Sequence, residues 1–252
     1  MAQIRGRLGP PAHVPRVLTA AQVLPSGGGK VGDFDTLFEL VCAIQAHVGQ
    51  VELEFTLVEL EPQKPLPTRF SPLGDPNGQL LHTFYGDGEY VIVFSPAMFR
   101  VQAILLASVS RELGRLALHQ AGWISRVPED IEAHAELAAV ALGLGVFVAN
   151  GAYMFENACC GGGCGIDLTS LRAGLTLTES CFALALDARD KGLSRRLLTK
   201  HLDANQKAAL NASWRAIERH PQLLALPSGS GARTIAGEII DGSERGLATP
   251  DV

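Results

Sequence analysis

Arg111-Glu112-Leu113-Gly114-Arg115 sets two guanidiniums four residues apart with a carboxylate between them, and Glu132 and Glu136 repeat the four-residue spacing seventeen positions on. On a helix, residues four apart stand one above the other on one face. Two pairs so spaced can face each other across a helix–helix contact, so Arg111 and Arg115 are expected to pair with Glu132 and Glu136. Guanidinium is a donor-only cation at any ordinary pH, so neither arginine can ligate a metal, whereas a carboxylate such as Glu112 can take a proton as a general base. The blander reading is a solvated helical turn, because Arg and Glu are strong helix formers at a common surface spacing. The apolar run Ala103-Ile-Leu-Leu-Ala107 just before, Gly114 inside the pattern and the acidic pair downstream favour a built site.

A second chemistry-bearing group is Cys159-Cys160-Gly-Gly-Gly-Cys164, three thiols on a glycine-rich stretch. With His134 or Cys181 as a fourth ligand it is the alternative metal site, for zinc or another soft ion. The opposing reading is a set of reduced, non-ligating cysteines, since no second Cys pair at ligand spacing follows. His119, one turn beyond Arg115, is a candidate displaced ligand. His82 alternates with Leu80 and Phe84 and reads as a core or rim histidine. No nucleophile-elbow motif is present. Gly27-Gly28-Gly29-Lys30 is not a phosphate loop, because Leu24 stands where its first glycine belongs and Val31 replaces the hydroxyl residue.

The elements that must position these groups follow from periodicity. Asp33 or Asp35 caps a helix running from Leu37 to about Val48, with Gly49 as its stop. Val51 to Leu57 alternates apolar and polar, which predicts a half-buried strand. Residues 61–79 hold five prolines and are expected to form a loop. Leu80–Tyr85 and Glu89–Phe94 form a strand pair around Gly86-Asp87-Gly88, the second more central. A buried helix from about Met98 to Gln120 carries Arg111, Glu112 and Arg115. Another starts at Pro128 and continues to about Tyr153, carrying Glu132, His134 and Glu136. Further helices are expected from Thr178-Glu179 to Lys191 and from Asp203 to about His220. Strands first and helices last give an α+β domain over residues 33–225, after a Pro/Gly-rich lead-in (1–32) and before a mobile tail (226–252).

Composition narrows the classes. The chain has 252 residues, 47% hydrophobic and 19% charged, as expected for a well-filled core. A net charge of −5 and 6% aromatic residues argue against nucleic acid as a partner. Five cysteines, an odd number, fit reduced thiols better than a disulfide framework. The opening residues carry positive charge without a following apolar region, so no secretory signal is read and a cytoplasmic location is expected. Residues 137–155 hold no charge over 19 positions, long enough for a membrane helix. Gly143, Gly145, Asn150 and Gly151 and the preceding acids favour a small-residue helix buried in a soluble domain, with membrane association as the alternative.

The frame Leu106-Ala-Ser-Val-Ser-Arg-Glu-Leu-Gly-Arg-Leu-Ala-Leu118 resembles the H-E-L-G-H helix of a group of uncharacterised bacterial zincin-like proteins. The segment Glu136-Leu-Ala-Ala-Val-Ala-Leu-Gly-Leu-Gly-Val-Phe-Val-Ala-Asn150 resembles the stretch C-terminal to that helix, and the resemblance extends over residues 85–195. It implies a zincin-like fold, a small mostly antiparallel sheet packed on a predominantly helical C-terminal half. It also implies that Glu112 is a vestigial general base, Glu132 stands at the third-ligand position and Glu136 at the supporting acid. Both ligand histidines are replaced, by Arg111 and Arg115. The expectation is therefore a pseudo-metallopeptidase without a cofactor, binding or regulating an unknown protein or peptide. The alternatives are a metal-dependent hydrolase with a rearranged site (Glu112, Glu132, Glu136, His119 or the cysteine loop, with zinc) and a membrane-associated or structural subunit.

Overall fold

The computed structural model describes residues 1–8, 17–24, 30–61, 66–123, 130–156, 171 and 173–224. The cysteine loop at 159–164, the Pro128 helix start and the 226–252 tail lie outside these residues.

The chain is α+β. Residues expected as a lead-in supply two short helices, α1 (Ala2–Leu8) and α2 (Ala20–Val23), and bury Ile4, Leu18, Val23 and Val31. Helix α3 (Phe34–His47) starts where the Asp33 carboxylate accepts the Thr36 N–H, and Gly49 follows its end with φ 74°. Four strands order themselves β1-β4-β3-β2. Strands β3 (Leu81–Gly86) and β4 (Glu89–Phe94) form the expected antiparallel pair, turning through Asp87 and Gly88, both at positive φ. Strand β1 (Thr56–Glu59) runs parallel to β4 on one edge, and the two-residue β2 (Ser71–Pro72) runs antiparallel to β3 on the other.

Two expectations for this half need correcting. The predicted strand at 51–57 begins only at Thr56. Its alternation is met by a turn, with the Leu53 N–H on the Gln50 carbonyl and Val51 64% exposed. The proline-rich 61–79 stretch is not wholly loop, because Ser71, Pro72 and then Leu73 attach to the β3 edge. Proline is tolerated there because an edge strand leaves one side of its backbone unpaired.

Helix α4 (Gln102–Gln120) follows a short 3-10 turn at Pro96–Arg100 and is buried without interruption from Ile104 to Leu118. It packs on α5 (Ile131–Ala139), on α6 (Gly145–Glu156) and on β3. The predicted single helix to Tyr153 is broken: Val140–Leu144 is a π turn in which Gly143 takes φ 94°. A positive φ ends the α-helical path, and glycine adopts it without steric cost. The carbonyl of Ala141 in that turn accepts the Lys191 ammonium at 2.7 Å. Helices α7 (Leu177–Asp190), α8 (Arg195–Thr199) and α9 (Ala204–Arg219) complete the fold. Thr176 and Glu179 form a reciprocal capping box at the start of α7, and Asp203 is the N-cap residue of α9. Helix α8 is too short to carry a periodic signal and was not expected.

One core lies between the sheet, α3, α4 and the α5–α6 arm, and a second lies among α6, α7, α8 and α9. The 25-residue arm Ile131–Phe155 is long and apolar enough to cross a membrane by composition, yet most of its most apolar stretch is buried within the fold. Lys191 and Arg5 both ion-pair Asp187 and so tie α1 and the arm to α7.

Candidate functional site

The site forms where α4, α5 and the β3 edge meet. Arg111, Glu112 and Arg115 lie on α4, with side chains 1%, 1% and 4% exposed, so the solvated-turn reading does not hold. Such burial is possible because Gly114 lets the two helices touch: a Cβ there would lie 2.2 Å from the Ala135 carbonyl oxygen.

Arg115 is the hub. Its Nε donates to Glu112 Oε2 at 2.9 Å, its Nη2 to Glu132 Oε2 at 2.6 Å and to Glu112 Oε1 at 3.3 Å, and its Nη1 to the Leu73 carbonyl at 2.6 Å. Arg111 Nε lies 3.3 Å from Glu112 and 3.6 Å from Glu132, while its Nη1 is 3.7 Å from Glu136. The closer pairs are thus Arg115 with Glu132 and Arg115 with Glu112, with Arg111 bridging towards Glu136. Glu112 Oε2 also accepts the Thr83 backbone N–H and hydroxyl, both at 2.9 Å. Glu136 receives the N–H groups of Gly174 (3.0 Å) and Leu175 (2.7 Å), just ahead of α7. Helix, strand and preceding loop all converge on three carboxylates and two guanidiniums.

The electrostatics arise from that geometry. Burial alone would raise the Glu112 carboxyl, but Arg115, His82 once acid has protonated it, and Arg111 outweigh it and hold it at about 2. Burial likewise disfavours the Arg115 cation, and Glu112 and Glu132 outweigh it, holding the guanidinium firmly protonated. Glu136 goes the other way: desolvation pushes its carboxyl up against the pull of Arg111 and the two backbone N–H groups. A carboxylate held at about 2 and hydrogen-bonded to cations is a poor base, so Glu112 here is an anchor for Arg115 and Thr83.

The sign of this shift gives an acid-stability prediction. Glu112 titrates near 4.5 when exposed and near 2 when folded. Its contribution, about 3 kcal/mol, is present above pH 4.5 and is lost as pH falls towards 2. Unfolding free energies from urea titrations between about pH 5 and pH 2.5 should fall with a slope steeper than in Glu112→Gln by up to about one proton per chain. Equal slopes would remove Glu112 as the acid-sensitive group.

His82, expected as a core or rim histidine, has more charge around it than that expectation implies. It is 3% exposed, and neither ring nitrogen has a hydrogen-bond partner among the described residues. Desolvation lowers its pKa, with Glu112, Arg115, Glu132 and Arg111 all within electrostatic reach, so the ring is neutral near pH 7. Period-two alternation places it on a strand face but carries no sign of the charges nearby.

The other candidates lie elsewhere. His119 Nδ1 pairs with the Tyr90 hydroxyl at 2.9 Å and its ring packs at a tilt on Tyr85, centroids 4.6 Å apart, against the β3–β4 hairpin. His134 meets the Trp123 ring edge-on at 5.4 Å. Cys181 is buried in the second core, with its thiol towards the Gln206 carbonyl. The residues present do not fit a zinc ion at the α4–α5 contact. The two ligand-spaced positions are cations, and the neighbouring carboxylates are already engaged by them. Among the described residues no group of three His, Cys, Asp or Glu side chains is placed to hold a metal; Cys159, Cys160 and Cys164 lie outside them.

No family model matches the chain, nor does any curated protein or solved structure.

Proposed function

We propose that the chain is a non-catalytic, pseudo-metallopeptidase-like protein on a zincin-like frame, cytoplasmic, with a binding or regulatory role towards a protein or peptide. The observation that carries this reading is that Arg111 and Arg115, at the two ligand spacings of the frame, are buried and ion-paired to Glu112, Glu132 and Glu136. Two fixed positive charges stand where a divalent ion would otherwise balance the same carboxylates. Each carboxylate of the cluster has at least one oxygen paired, and the β3 edge beside it pairs with an extended segment, Ser71 to Leu73 of the chain itself, which is the kind of backbone pairing an extended peptide makes.

The test is metal content by mass spectrometry on untagged, chelator-free protein, with Arg111→His/Arg115→His in parallel. The expected result is a metal-free wild type and a double variant that takes up about one zinc per chain, since the paired imidazoles and Glu132 would then form a three-ligand set. Stoichiometric metal in the wild type overturns the proposal and turns attention to Cys159, Cys160 and Cys164. A double variant that folds but takes up no zinc removes the zincin-like frame.

A further inference from the structure

The β3 edge above Arg115 is occupied by the chain itself. Ser71 and Pro72 pair with Tyr85 and Phe84, the Leu73 N–H donates to the Thr83 carbonyl at 2.9 Å, and the Leu73 carbonyl accepts from Arg115 Nη1 at 2.6 Å. Gly74 follows at φ 133°, a conformation open essentially to glycine alone, and lies against the cluster. A Cβ at that position would come within 2.6 Å of Arg115 Nη1 and 2.8 Å of Glu132 Oε1. Glu132 Oε1 is buried with no hydrogen-bond partner among the described residues. The outer surface of this segment is exposed at Ser71, Pro72, Asp75 and Pro76. Its attachment is a two-residue strand and a few backbone bonds, whereas α4 beneath it is buried over fifteen consecutive residues. Short, exposed edge pairings open at far lower free energy than a buried helix.

We propose that residues 70–74 are a displaceable strap, a self-supplied strand that shuts a backbone-docking position on the β3 edge and vacates it for an extended peptide. The incoming chain gives an N–H to the Thr83 carbonyl and a carbonyl to Arg115, and carries a glycine next, because φ 133° strains any other residue and a Cβ there would also press on the paired ends of Arg115 and Glu132. Arg115 thus serves two ends, ion-paired inward and carbonyl-recognising outward. The inference rests on the binding role proposed above.

The probe is a fluorescently labelled peptide of residues 66–77, Leu-Pro-Thr-Arg-Phe-Ser-Pro-Leu-Gly-Asp-Pro-Asn, titrated with full-length protein by anisotropy. Gly74→Ala drives the strap off through its own Cβ. Leu73→Pro removes the N–H given to Thr83, and carries the test alone if Gly74→Ala fails to fold by circular dichroism. Each folded variant is expected to bind the peptide at least about tenfold more tightly than wild type, since the competent open state is no longer a minor population. A peptide with alanine at its glycine is expected not to bind. Folded variants that do not bind, or binding equal to wild type, overturn the strap. A metal-free chain that ignores the peptide defeats the strap alone, whereas stoichiometric metal in the wild type defeats the reading beneath it.

Discussion

Arg115→Met is expected to cost roughly 3–5 kcal/mol, a large share of the roughly 5–15 kcal/mol that holds an ordinary domain folded. The reason is the asymmetry of buried ion pairs. Desolvating these charges costs several kcal/mol per ion, and mutual attraction with well-formed hydrogen bonds offsets it only while every partner is present. Removing Arg115 leaves the buried Glu112 and the partly buried Glu132 without their closest cation, and strips a donor from the Leu73 carbonyl. The Arg115–Glu132 pair, not Arg115–Glu136, is where coupling should be sought. A cycle of Arg115→Met and Glu132→Gln by urea unfolding is expected to give at least about 1 kcal/mol of interaction energy. Arg111 and Glu136, 3.7 Å apart, should couple more weakly. Additive single effects at Arg115 and Glu132 would show that the cluster is not held as a unit.

Gly114→Ala is the second large effect, and it acts through backbone. The added Cβ would lie 2.2 Å from the Ala135 carbonyl oxygen and 2.7 Å from the Ala139 nitrogen. No side chain can swing away to make room, so α4 and α5 must separate, which stretches every ion pair between them. Alanine is otherwise favoured over glycine within a helix by up to about 1 kcal/mol. The net result is nevertheless expected to be a loss of about 3 kcal/mol, at the upper end of overpacking penalties. Thermal unfolding of Gly114→Ala beside Gly122→Ala, which meets nothing within 4 Å but sits at φ 67°, separates close approach from turn strain. A Gly114→Ala protein no less stable than wild type would mean that α4 and α5 do not touch at this point.

The contact of α4 with α5 was legible because the charged residues interrupt an otherwise apolar run at helical spacing, with complementary charge at the same spacing downstream. Arg111 on spacing alone still resembles a surface residue. In the fold its side chain is 1% exposed and lies beside Glu132 and Glu136 of α5, an environment that the residues around Arg111 do not announce. Strand β2 was illegible for a related reason: nothing in Ser71-Pro72 favours a strand, and only the open edge of β3 makes it one. At Val51–Phe55 the alternation is present but leads to a turn, because burying Leu53 needs only one inward residue. The break at Gly143 had a signal, two glycines in Leu142-Gly-Leu-Gly145, but isolated glycine is also tolerated in buried helices, and sequence does not say which glycine takes a positive φ.

That break bears on how the molecule holds together. Beyond Gly143 the backbone is re-aimed, and α6 becomes a party wall: Phe147 and Val148 belong to the core shared with the sheet, while Val146 and Ala149 belong to the core of α7 and α9. Neither room can be emptied without stripping one side of that wall. The salt-bridged cluster and the distant C-terminal helices therefore share one fate on unfolding, although no side chain of α9 reaches the cluster in the described contacts.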